Sequence, residues 1–241
     1  MTGSTSDAIL TVEALNAYYG RAHILSDVAL QAGRGEVVAL IGRNGAGKST
    51  TFKSIMGLVD DRRGRITFAG NDISRSAPHE IARLGLGYVP EDRRIFTDLT
   101  VMENLEVGRQ RPREGAPEWT PERLFTLFPN LAEMRGRLGG GMSGGEQQML
   151  TIARTLMGNP LAILLDEPSE GLAPRIVEMM AHAIIGLKAE GQTIILSEQN
   201  LHFAGLVSDR AHVIEKGRIR FGGTMRELAA DEAVRRAYLT L

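Results

Sequence analysis

The segment GRNGAGKST at residues 42–50 constrains this 241-residue chain more than any other stretch of its sequence. An uninterrupted apolar run, VVALI, precedes it, and a helical pattern follows it over residues 49–58. The segment matches the pattern G-x-x-x-x-G-K-[ST], whose fixed positions are Gly42, Gly47, Lys48 and Ser49. Because a strand, a glycine-rich turn and a helix start aim successive backbone N–H groups at one anion, the segment predicts a phosphate-binding loop.

The residue types in this loop suit a nucleoside triphosphate together with magnesium. Lys48 can reach the β- and γ-phosphates, and the hydroxyl oxygen of Ser49 can bind Mg²⁺. We expect the other loop positions to face the same phosphates, and these are Arg43, Asn44, Gly45, Ala46 and Thr50. GTPases, small-molecule kinases and transport ATPases share this loop. The guanine-reading motif N-K-x-D does not occur in the sequence, which favours ATP.

Two acids end the apolar run LAILLDEP at residues 161–168. A first acid in this position, Asp166, can hold Mg²⁺, usually through a water molecule. The second acid, Glu167, can polarise an attacking water as a general base. Adjacent acids at the end of a buried strand are costly unless a cation or a donor compensates them. The alternative is a solvated strand end, or a cap on the following helix.

A second polar strand end closes the run TIILSEQN at residues 193–200. In open sheets of parallel strands, ligands bind just beyond the carboxyl ends of the strands. The pattern therefore predicts that a ligand lies close to Gln199, whereas Glu198 and Asn200 receive no role.

A glycine-rich turn, GGGMSGGEQQ, leads into a helical pattern at residues 139–155. Ser143 and Gly145 lie where a hydroxyl group and exposed N–H groups can bind an anion at a helix start. The chain then has two phosphate-binding helix starts, although one nucleotide needs only one. A dimer in which each chain completes the site of the other explains the second.

Composition limits the class of protein. The net charge is −1, from 28 basic and 29 acidic side chains, so the charge indicates no general attraction to nucleic acid or anionic lipid. The absence of cysteine excludes disulfides and thiolate catalysis. No apolar run approaches the ~18 residues of a membrane span, and the N-terminus lacks a signal-peptide pattern. We therefore expect a cytoplasmic protein.

The remaining patterns predict a mainly parallel sheet in which strands alternate with helices. Residues 109–123, RQRPREGAPEWTPER, lack apolar periodicity and predict a solvated loop that contains Trp119. The segment HVIEKGRIRFGG predicts a hairpin that turns at Lys216-Gly217. The residues after 223 predict one or two amphipathic helices.

The segment MSGGEQQ resembles the signature motif of ABC-type ATPases, L-S-G-G-Q. Together with the phosphate loop and LAILLDEP in the family's order, the resemblance covers nearly the whole chain. It implies an α/β fold: a P-loop NTPase with a RecA-like core, an antiparallel β subdomain and an inserted helical subdomain. The implied single domain spans residues 8–241. Its core and β subdomain take up about 8–90 and 159–222, the helical subdomain about 91–158, and a C-terminal helical segment about 223–241.

The resemblance also implies roles for individual residues. Tyr19 matches the aromatic residue that stacks on adenine, although simple packing is the alternative. The helix start that contacts the γ-phosphate bound by a partner chain would comprise Ser143, Gly144, Gly145 and Glu146. Lys48 and Ser49 carry over directly, as do Asp166 for magnesium and Glu167 as the base.

Three positions depart from the general family pattern. Glu91 stands where most members have the glutamine that senses magnesium and the attacking water. Ala173 replaces an aspartate, and Gln199 replaces the switch histidine that faces the γ-phosphate. An amide can donate a hydrogen bond there but cannot take up a positive charge, so we expect weaker stabilisation of phosphoryl transfer.

Four segments together resemble one subfamily, the LivF-type ATPases of branched-chain amino acid importers: VPEDRRIFTDLTVMENL, MSGGEQQML, DEPSEGLAP and SEQN. The resemblance implies an active ATPase on the cytoplasmic face of the inner membrane. Its implied partners are two permease subunits, a second ABC ATPase in a head-to-tail hetero- or homodimer, and a periplasmic solute-binding protein. Related importers serve amides, urea or aromatic acids, so the cargo stays open.

Two other functions are alternatives to the importer. A nucleotide-gated scaffold that dimerises but hardly hydrolyses ATP is motivated by Glu91, Ala173 and Gln199. A soluble ABC ATPase that acts on nucleic acid or ribosomes would usually carry tandem ATPase domains or a long coiled-coil insertion. This sequence has neither, and its near-neutral charge also favours no nucleic-acid partner.

Overall fold

Two β-sheets form the framework of the computed structural model, which describes residues 8–239. The strands are β1 (Ala8–Tyr19), β2 (Ala22–Gly33), β3 (Val37–Ile41), β4 (Asp61–Phe68), β5 (Asn71–Asp72), β6 (Leu86–Val89), β7 (Ala162–Asp166), β8 (Thr193–Glu198), β9 (Arg210–Glu215) and β10 (Arg218–Thr224). The larger sheet has the order β10-β9-β3-β8-β7-β6, and the smaller sheet has the order β2-β1-β4-β5.

The helices pack around these sheets. They are α1 (Lys48–Ile55), α2 (Pro78–Arg83), α3 (Val101–Gly108), α4 (Pro121–Leu127), α5 (Pro129–Glu133), α6 (Gly144–Leu156), α7 (Pro174–Ala189), α8 (Leu201–Val207), α9 (Met225–Ala230) and α10 (Glu232–Tyr238). Four of them, α3 to α6, lie in the chain between β6 and β7. Within residues 8–239 no helix has the length and apolar character needed to cross a bilayer.

The larger sheet confirms the prediction of a mainly parallel sheet. The pairs β3–β8, β3–β9, β6–β7 and β7–β8 are parallel, and only β10 joins antiparallel to β9. Every residue of β3, β7 and β8 is buried, as expected of parallel strands covered on both faces. The register pairs Ile41 with Glu198 and Asp166 with Ser197. The three strands therefore end together and deliver the phosphate loop, Glu167 and Gln199 to one edge.

The smaller sheet is wholly antiparallel and contains a strand that the sequence patterns did not predict. The chain turns at Gly20, which has a left-handed backbone (φ 59°), and returns as β2 beside β1. Asp27 of β2 has a left-handed backbone (φ 51°), and the pairing of β1 with β2 shifts register four times. These irregularities break the period-2 alternation by which a half-buried strand is recognised.

The hairpin between β9 and β10 turns at Lys216-Gly217, as predicted, and it supports the phosphate loop. Both turn residues have positive φ, 48° and 71°, as two-residue hairpin turns require. The N–H of Gly217 donates to the carbonyl of Ala46 at 2.8 Å. A Cβ at Gly217 would lie 1.9 Å from the carbonyl oxygen of Ile24, so only glycine allows this close approach.

Trp119 corrects the prediction that residues 109–123 form a solvated loop. The segment has no helix before α4, but the Trp119 side chain is 2% exposed. Its Nε1–H donates to Oε1 of Gln192 at 3.0 Å, and its backbone N–H donates to Oδ1 of Asn159 at 2.6 Å. An indole ring can be buried when its one N–H group has a hydrogen-bond partner. Because a single buried residue produces no apolar periodicity, the sequence pattern did not indicate that Trp119 is buried.

The C-terminal segment forms two short helices, in agreement with the prediction of one or two. Leu228 of α9 is fully buried, whereas no residue of α10 is. Thr224 and Glu227 form a capping box that fixes the start of α9.

His212 is a buried histidine within the larger sheet. It lies on β9, paired with Leu40 of β3 and Gly222 of β10, and is 7% exposed. Burial and the neighbouring Arg210 cation lower the pKa of His212 to about 4, from an ordinary value of 6.5. The folded protein therefore keeps this ring neutral at pH values where the unfolded chain binds a proton.

This difference predicts a loss of stability in acid. The neutral His212 ring contributes to the free energy of unfolding. This contribution is fully present above the pKa of the unfolded chain and is lost as the pH falls from about 6.5 to about 4. Relative to His212→Leu, the wild-type protein should lose on the order of 2 kcal/mol of unfolding free energy between about pH 7.5 and pH 4.5. Urea denaturation at the two pH values measures this difference. His182→Leu, at an exposed histidine outside the sheet, serves as the control for the loss of a histidine side chain. A wild-type-minus-His212→Leu difference that is constant with pH would contradict the prediction.

Candidate nucleotide-binding and hydrolysis site

The phosphate loop joins the end of β3 to the start of α1. Gly45 and Gly47 have left-handed backbones, with φ of 77° and 111°. A Cβ on Gly42 would lie 2.5 Å from the carbonyl oxygen of Ile214, and one on Gly47 would lie 2.8 Å from a methyl group of Leu25. No side chain caps the start of α1, so the first N–H groups of this helix are available to an anion.

Lys48 connects the phosphate loop to the acids at the end of β7. Its Nζ donates to the carbonyl oxygens of Gly42 at 2.8 Å and Arg43 at 3.1 Å. The same atom forms an ion pair with Oε1 of Glu167 at 3.1 Å. Both side chains are buried, 2% and 8% exposed, so each charge depends on the other for compensation.

Asp166 is 1% exposed and accepts hydrogen bonds from three hydroxyl groups. Ser49 and Ser197 donate to its Oδ1 at 3.0 Å and 2.7 Å, and Tyr88 donates to its Oδ2 at 3.2 Å. Burial and the adjacent Asp166 carboxylate raise the pKa of Tyr88 well above its ordinary value of 10, which keeps the phenol protonated as a donor. The carboxylate is therefore held from both sides.

The oxygen atoms of Asp166 and Ser49 suit magnesium. Carboxylate and hydroxyl oxygens are hard donors, and the Ser49 proton points to Asp166, which leaves the oxygen lone pairs for a cation. Within residues 8–239 no group of three or more His, Cys, Asp or Glu side chains is arranged to hold a metal ion. A magnesium ion here would take its other oxygen ligands from phosphate and water, which is how this ion is usually held.

Glu167 has a strained backbone, as residues at functional sites often do. Its φ is +49°, a left-handed conformation that non-glycine residues adopt at a cost. A hydrogen bond with Glu167, together with burial and the nearby carboxylates of Glu167 and Glu91, raises the pKa of Glu170 to about 7. The base predicted from the sequence therefore lies in an acidic cluster beside one buried lysine.

An open cavity of about 360 Å³ lies at this edge of the sheet. Its lining comprises Glu167, Ser169, Glu170, Glu198, Gln199 and Asn200. The structure thus brings Gln199, exposed at the end of β8, to the same cavity as Glu167.

Glu198 and Asn200 have structural roles at this edge. The buried Glu198 carboxylate accepts from the backbone N–H groups of Ser169 at 3.0 Å and Asn200 at 3.2 Å, and burial raises its pKa. It therefore ties the loop after β7 to the end of β8. The Asn200 side chain caps α8 by accepting from the N–H of Phe203.

The second predicted anion site lies at the start of α6. Ser143 caps this helix by accepting from the N–H of Glu146, and the Glu146 carboxylate accepts from the N–H of Ser143 at 2.6 Å. The N–H groups of Gly144 and Gly145, in the first turn, have no partner within the helix. A Cβ on Gly144 would lie 2.5 Å from Nη1 of Arg93, so a guanidinium group packs directly against this helix start.

Three other residues that the sequence patterns singled out make no hydrogen bond or ion pair with Lys48, Asp166 or Glu167 within the part of the chain that the structure describes. Tyr19 is 50% exposed at the end of β1, whereas its neighbour Tyr18 stacks on His23 with ring centroids 4.3 Å apart. Glu91 is exposed after β6 and acts on the pKa of Glu170. Ala173 is exposed just before α7. Among the described residues, no hydrogen bond or ion pair joins Ser143 to the phosphate loop.

The sequence patterns missed Tyr88, Ser197 and Arg93 as members of the site. Tyr88 and Ser197 lie inside runs that predict strands, and the sequence of a strand does not reveal which group a side-chain hydroxyl contacts. The only available hint was the expectation that polar residues near the ends of adjacent parallel strands meet at one edge.

Comparison with known proteins identifies the class of this chain. A model of the ABC transporter family matches residues 25–170, and the chain belongs to that family. The solved structure of an ATP-binding subunit of an ABC transporter superimposes on this chain with a TM-score of 0.79. The two sequences are 31% identical, and the superposition covers 96% of each chain. The predicted fold class is thereby confirmed, and the chain is an ATP-binding subunit of ABC type that hydrolyses ATP to power transport.

Its similar relatives serve different transporters. The high-affinity branched-chain amino acid transport ATP-binding protein BraG of Pseudomonas aeruginosa is 41% identical, over 96% of this chain and 99% of BraG. The lipopolysaccharide export system ATP-binding protein LptB of Haemophilus influenzae is 38% identical, over 96% of this chain and 97% of LptB. A probable branched-chain amino acid transport ATP-binding protein LivF of Archaeoglobus fulgidus is 36% identical, over 90% of this chain and 93% of LivF.

The geometry predicts distinct effects for the two partners of the buried ion pair. Glu167→Gln should reduce ATP turnover by about 10²–10⁴-fold, the usual contribution of a general base, while ATP binding is retained. Lys48→Ala should weaken both ATP binding and turnover, because a lysine at this position of a phosphate loop is expected to contact the phosphates before and during hydrolysis. Single-turnover hydrolysis and nucleotide affinity of the purified protein measure the two effects. Unchanged turnover in Glu167→Gln would show that the base is another residue.

Gln199→Ala should impair hydrolysis more than ATP binding. The amide can donate one hydrogen bond to the γ-phosphate, and removing one such donor is expected to lower turnover by about tenfold. The comparison of kcat with nucleotide affinity separates the two effects. Gln110→Ala, at an exposed glutamine outside the cavity, serves as the control. Equal losses of binding and turnover would count against this role for Gln199.

Proposed function

We propose that this chain is the ATP-hydrolysing subunit of an importer for branched-chain amino acids or related small solutes. The observation that carries the proposal is the 41% identity with BraG over nearly the full length of both chains. The departures Glu91, Ala173 and Gln199 support it, because they occur together in segments typical of the LivF type. The chain would work on the cytoplasmic face of the inner membrane, with permease subunits and a periplasmic solute-binding protein.

In the proposed mechanism, the loop from Gly42 to Thr50 holds the phosphates of ATP and Tyr19 stacks on adenine. Ser49 and Asp166 would hold Mg²⁺, with Glu91 near it, and the ion supplies positive charge against the phosphates. When ATP binds, the Lys48 ammonium group leaves the Glu167 carboxylate and pairs with the γ-phosphate instead. The Glu167 carboxylate is then released to accept a proton from the attacking water, while Gln199 donates to the phosphate.

A head-to-tail dimer with a second ABC ATPase completes this mechanism. At the start of α6, Ser143 is exposed, Gly144 is half-buried and Gly145 is buried, and the Glu146 carboxylate fixes the turn. We propose that the hydroxyl of Ser143 and the N–H groups of the two glycines bind the anion. These groups make no hydrogen bond to the loop of their own chain within the described residues. Their chemistry suits the γ-phosphate bound by a partner chain, whether that partner is a copy of this chain or a related subunit.

The permease subunits have a suitable surface beside the helical insertion. A groove of about 720 Å³ is lined by residues of β6, α3 and α6. Phe96 and Val107 in this groove are 47% and 54% exposed, and the guanidinium groups of Arg113 and Arg154 lie beside them. Apolar side chains flanked by cations suit a membrane-protein segment that carries apolar and acidic residues.

Lipopolysaccharide export is the second candidate function, favoured by the 38% identity with LptB over 96% of this chain. The two candidates differ in the direction and chemistry of the cargo and not in the ATPase site. The exposed groove, which would contact the permease, is therefore where the two kinds of subunit are expected to differ.

Solute uptake separates these candidates. Cells that lack this chain should lose uptake of radiolabelled leucine, isoleucine and valine, and the wild-type chain should restore it. Lys48→Ala, matched in every other residue, should not restore uptake because it cannot hold the phosphates. Urea, short amides and aromatic acids serve as alternative labelled cargo. Normal uptake of all of them, with lipopolysaccharide missing from the cell surface, would overturn the importer proposal in favour of export.

A further inference from the structure

The hydroxyl group of Ser197 forms a hydrogen bond with each of the two acids that follow β7. Its Oγ donates to Oδ1 of Asp166 at 2.7 Å and accepts from the backbone N–H of Glu167 at 3.0 Å. A hydroxyl has one proton and two lone pairs, so both bonds form at the same time. Ser197 is 0% exposed, so water does not compete for either bond.

The first of these bonds fixes the direction of the Asp166 carboxylate. Ser49 donates to the same oxygen at 3.0 Å, and Tyr88 donates to the other oxygen at 3.2 Å. The shortest of the three bonds comes from Ser197. Without it, the carboxylate could rotate away from Ser49, and Ser49 would lose the geometry that leaves its lone pairs available to a cation.

The second bond holds Glu167 in its strained backbone conformation. The N–H of Glu167 is shared between Oγ of Ser197 at 3.0 Å and the carbonyl oxygen of Ser197 at 3.2 Å. Backbone strain at φ +49° persists only where the surroundings determine the conformation. The Glu167 carboxylate therefore owes its position beside Lys48 partly to a side chain on the neighbouring strand.

We propose that Ser197 is a positioning residue for ATP hydrolysis, holding Asp166 and Glu167 in register at the edge of the sheet. The inference rests on the roles proposed above for these two acids. Ser197 touches neither phosphate nor water in this mechanism and acts only through its two neighbours. Gln199 follows Glu198, the last residue of β8, so the end of this strand then helps to position three of the groups proposed to surround the γ-phosphate.

The test compares four variants of the purified full-length chain. Ser197→Ala and Ser197→Cys remove the hydroxyl group, and the cysteine keeps nearly the same volume. Ser197→Thr keeps the hydroxyl group. Ser54→Ala is the matched control, because Ser54 is also buried but its Oγ has no hydrogen-bond partner. The readouts are kcat, the KM for ATP, the magnesium concentration for half-maximal activity, and ATP affinity in EDTA.

We expect Ser197→Ala and Ser197→Cys to lower kcat by about tenfold or more, the factor supplied by one charge-assisted hydrogen bond. The required magnesium concentration should rise, whereas ATP affinity in EDTA should stay within about twofold. Ser197→Thr should restore most of the activity, and Ser54→Ala should match the wild type. A purely structural role would instead lower all readouts together or none of them.

Glu167→Gln, measured in parallel, separates this inference from the site assignment on which it rests. Loss of turnover in Glu167→Gln with full activity in Ser197→Ala and Ser197→Cys would overturn the role of Ser197 alone. Full activity in Glu167→Gln would overturn the base assignment, and the positioning role would fall with it. Should Ser197→Ala not fold, as judged by circular dichroism, the near-isosteric Ser197→Cys decides the outcome.

Discussion

The buried Asp166 carboxylate and its three hydroxyl donors are the interaction on which the rest of the site depends. A carboxylate that is 1% exposed is unfavourable unless hydrogen bonds or a cation compensate it. The donors come from α1, β6 and β8, so the compensation is possible only when these elements are packed together. The chemistry of the site and the assembly of the larger sheet are therefore coupled.

The parallel sheet explains why the charged groups meet at one edge. β3, β7 and β8 are buried along their whole length, so polar side chains can emerge only where the strands end. The register of β3 with β8 and of β7 with β8 aligns these ends. Lys48 and Glu167 compensate each other's buried charge at 3.1 Å, which holds the proposed base in place.

Local patterns in the sequence predicted the residues that the structure brings to one edge of the larger sheet, whereas tertiary contacts determine how these residues are held. The phosphate loop, the hairpin at Lys216-Gly217 and the mainly parallel sheet follow from short-range periodicity and turn chemistry. Ser197 and Tyr88 reach Asp166 across 31 and 78 positions of the chain, and no local pattern encodes such contacts. Trp119 was placed in a solvated loop for the same reason, since its partner Gln192 lies 73 positions away.

The exchange of Lys48 between Glu167 and phosphate is the central claim of this account. A structure of the wild-type chain with Mg²⁺ and a non-hydrolysable ATP analogue tests it most directly. The account predicts that Nζ of Lys48 contacts the β- and γ-phosphates and has left Glu167, while Asp166 keeps its bond to Ser197. A structure in which the analogue fills the loop and Lys48 is still paired with Glu167 at about 3 Å would contradict it.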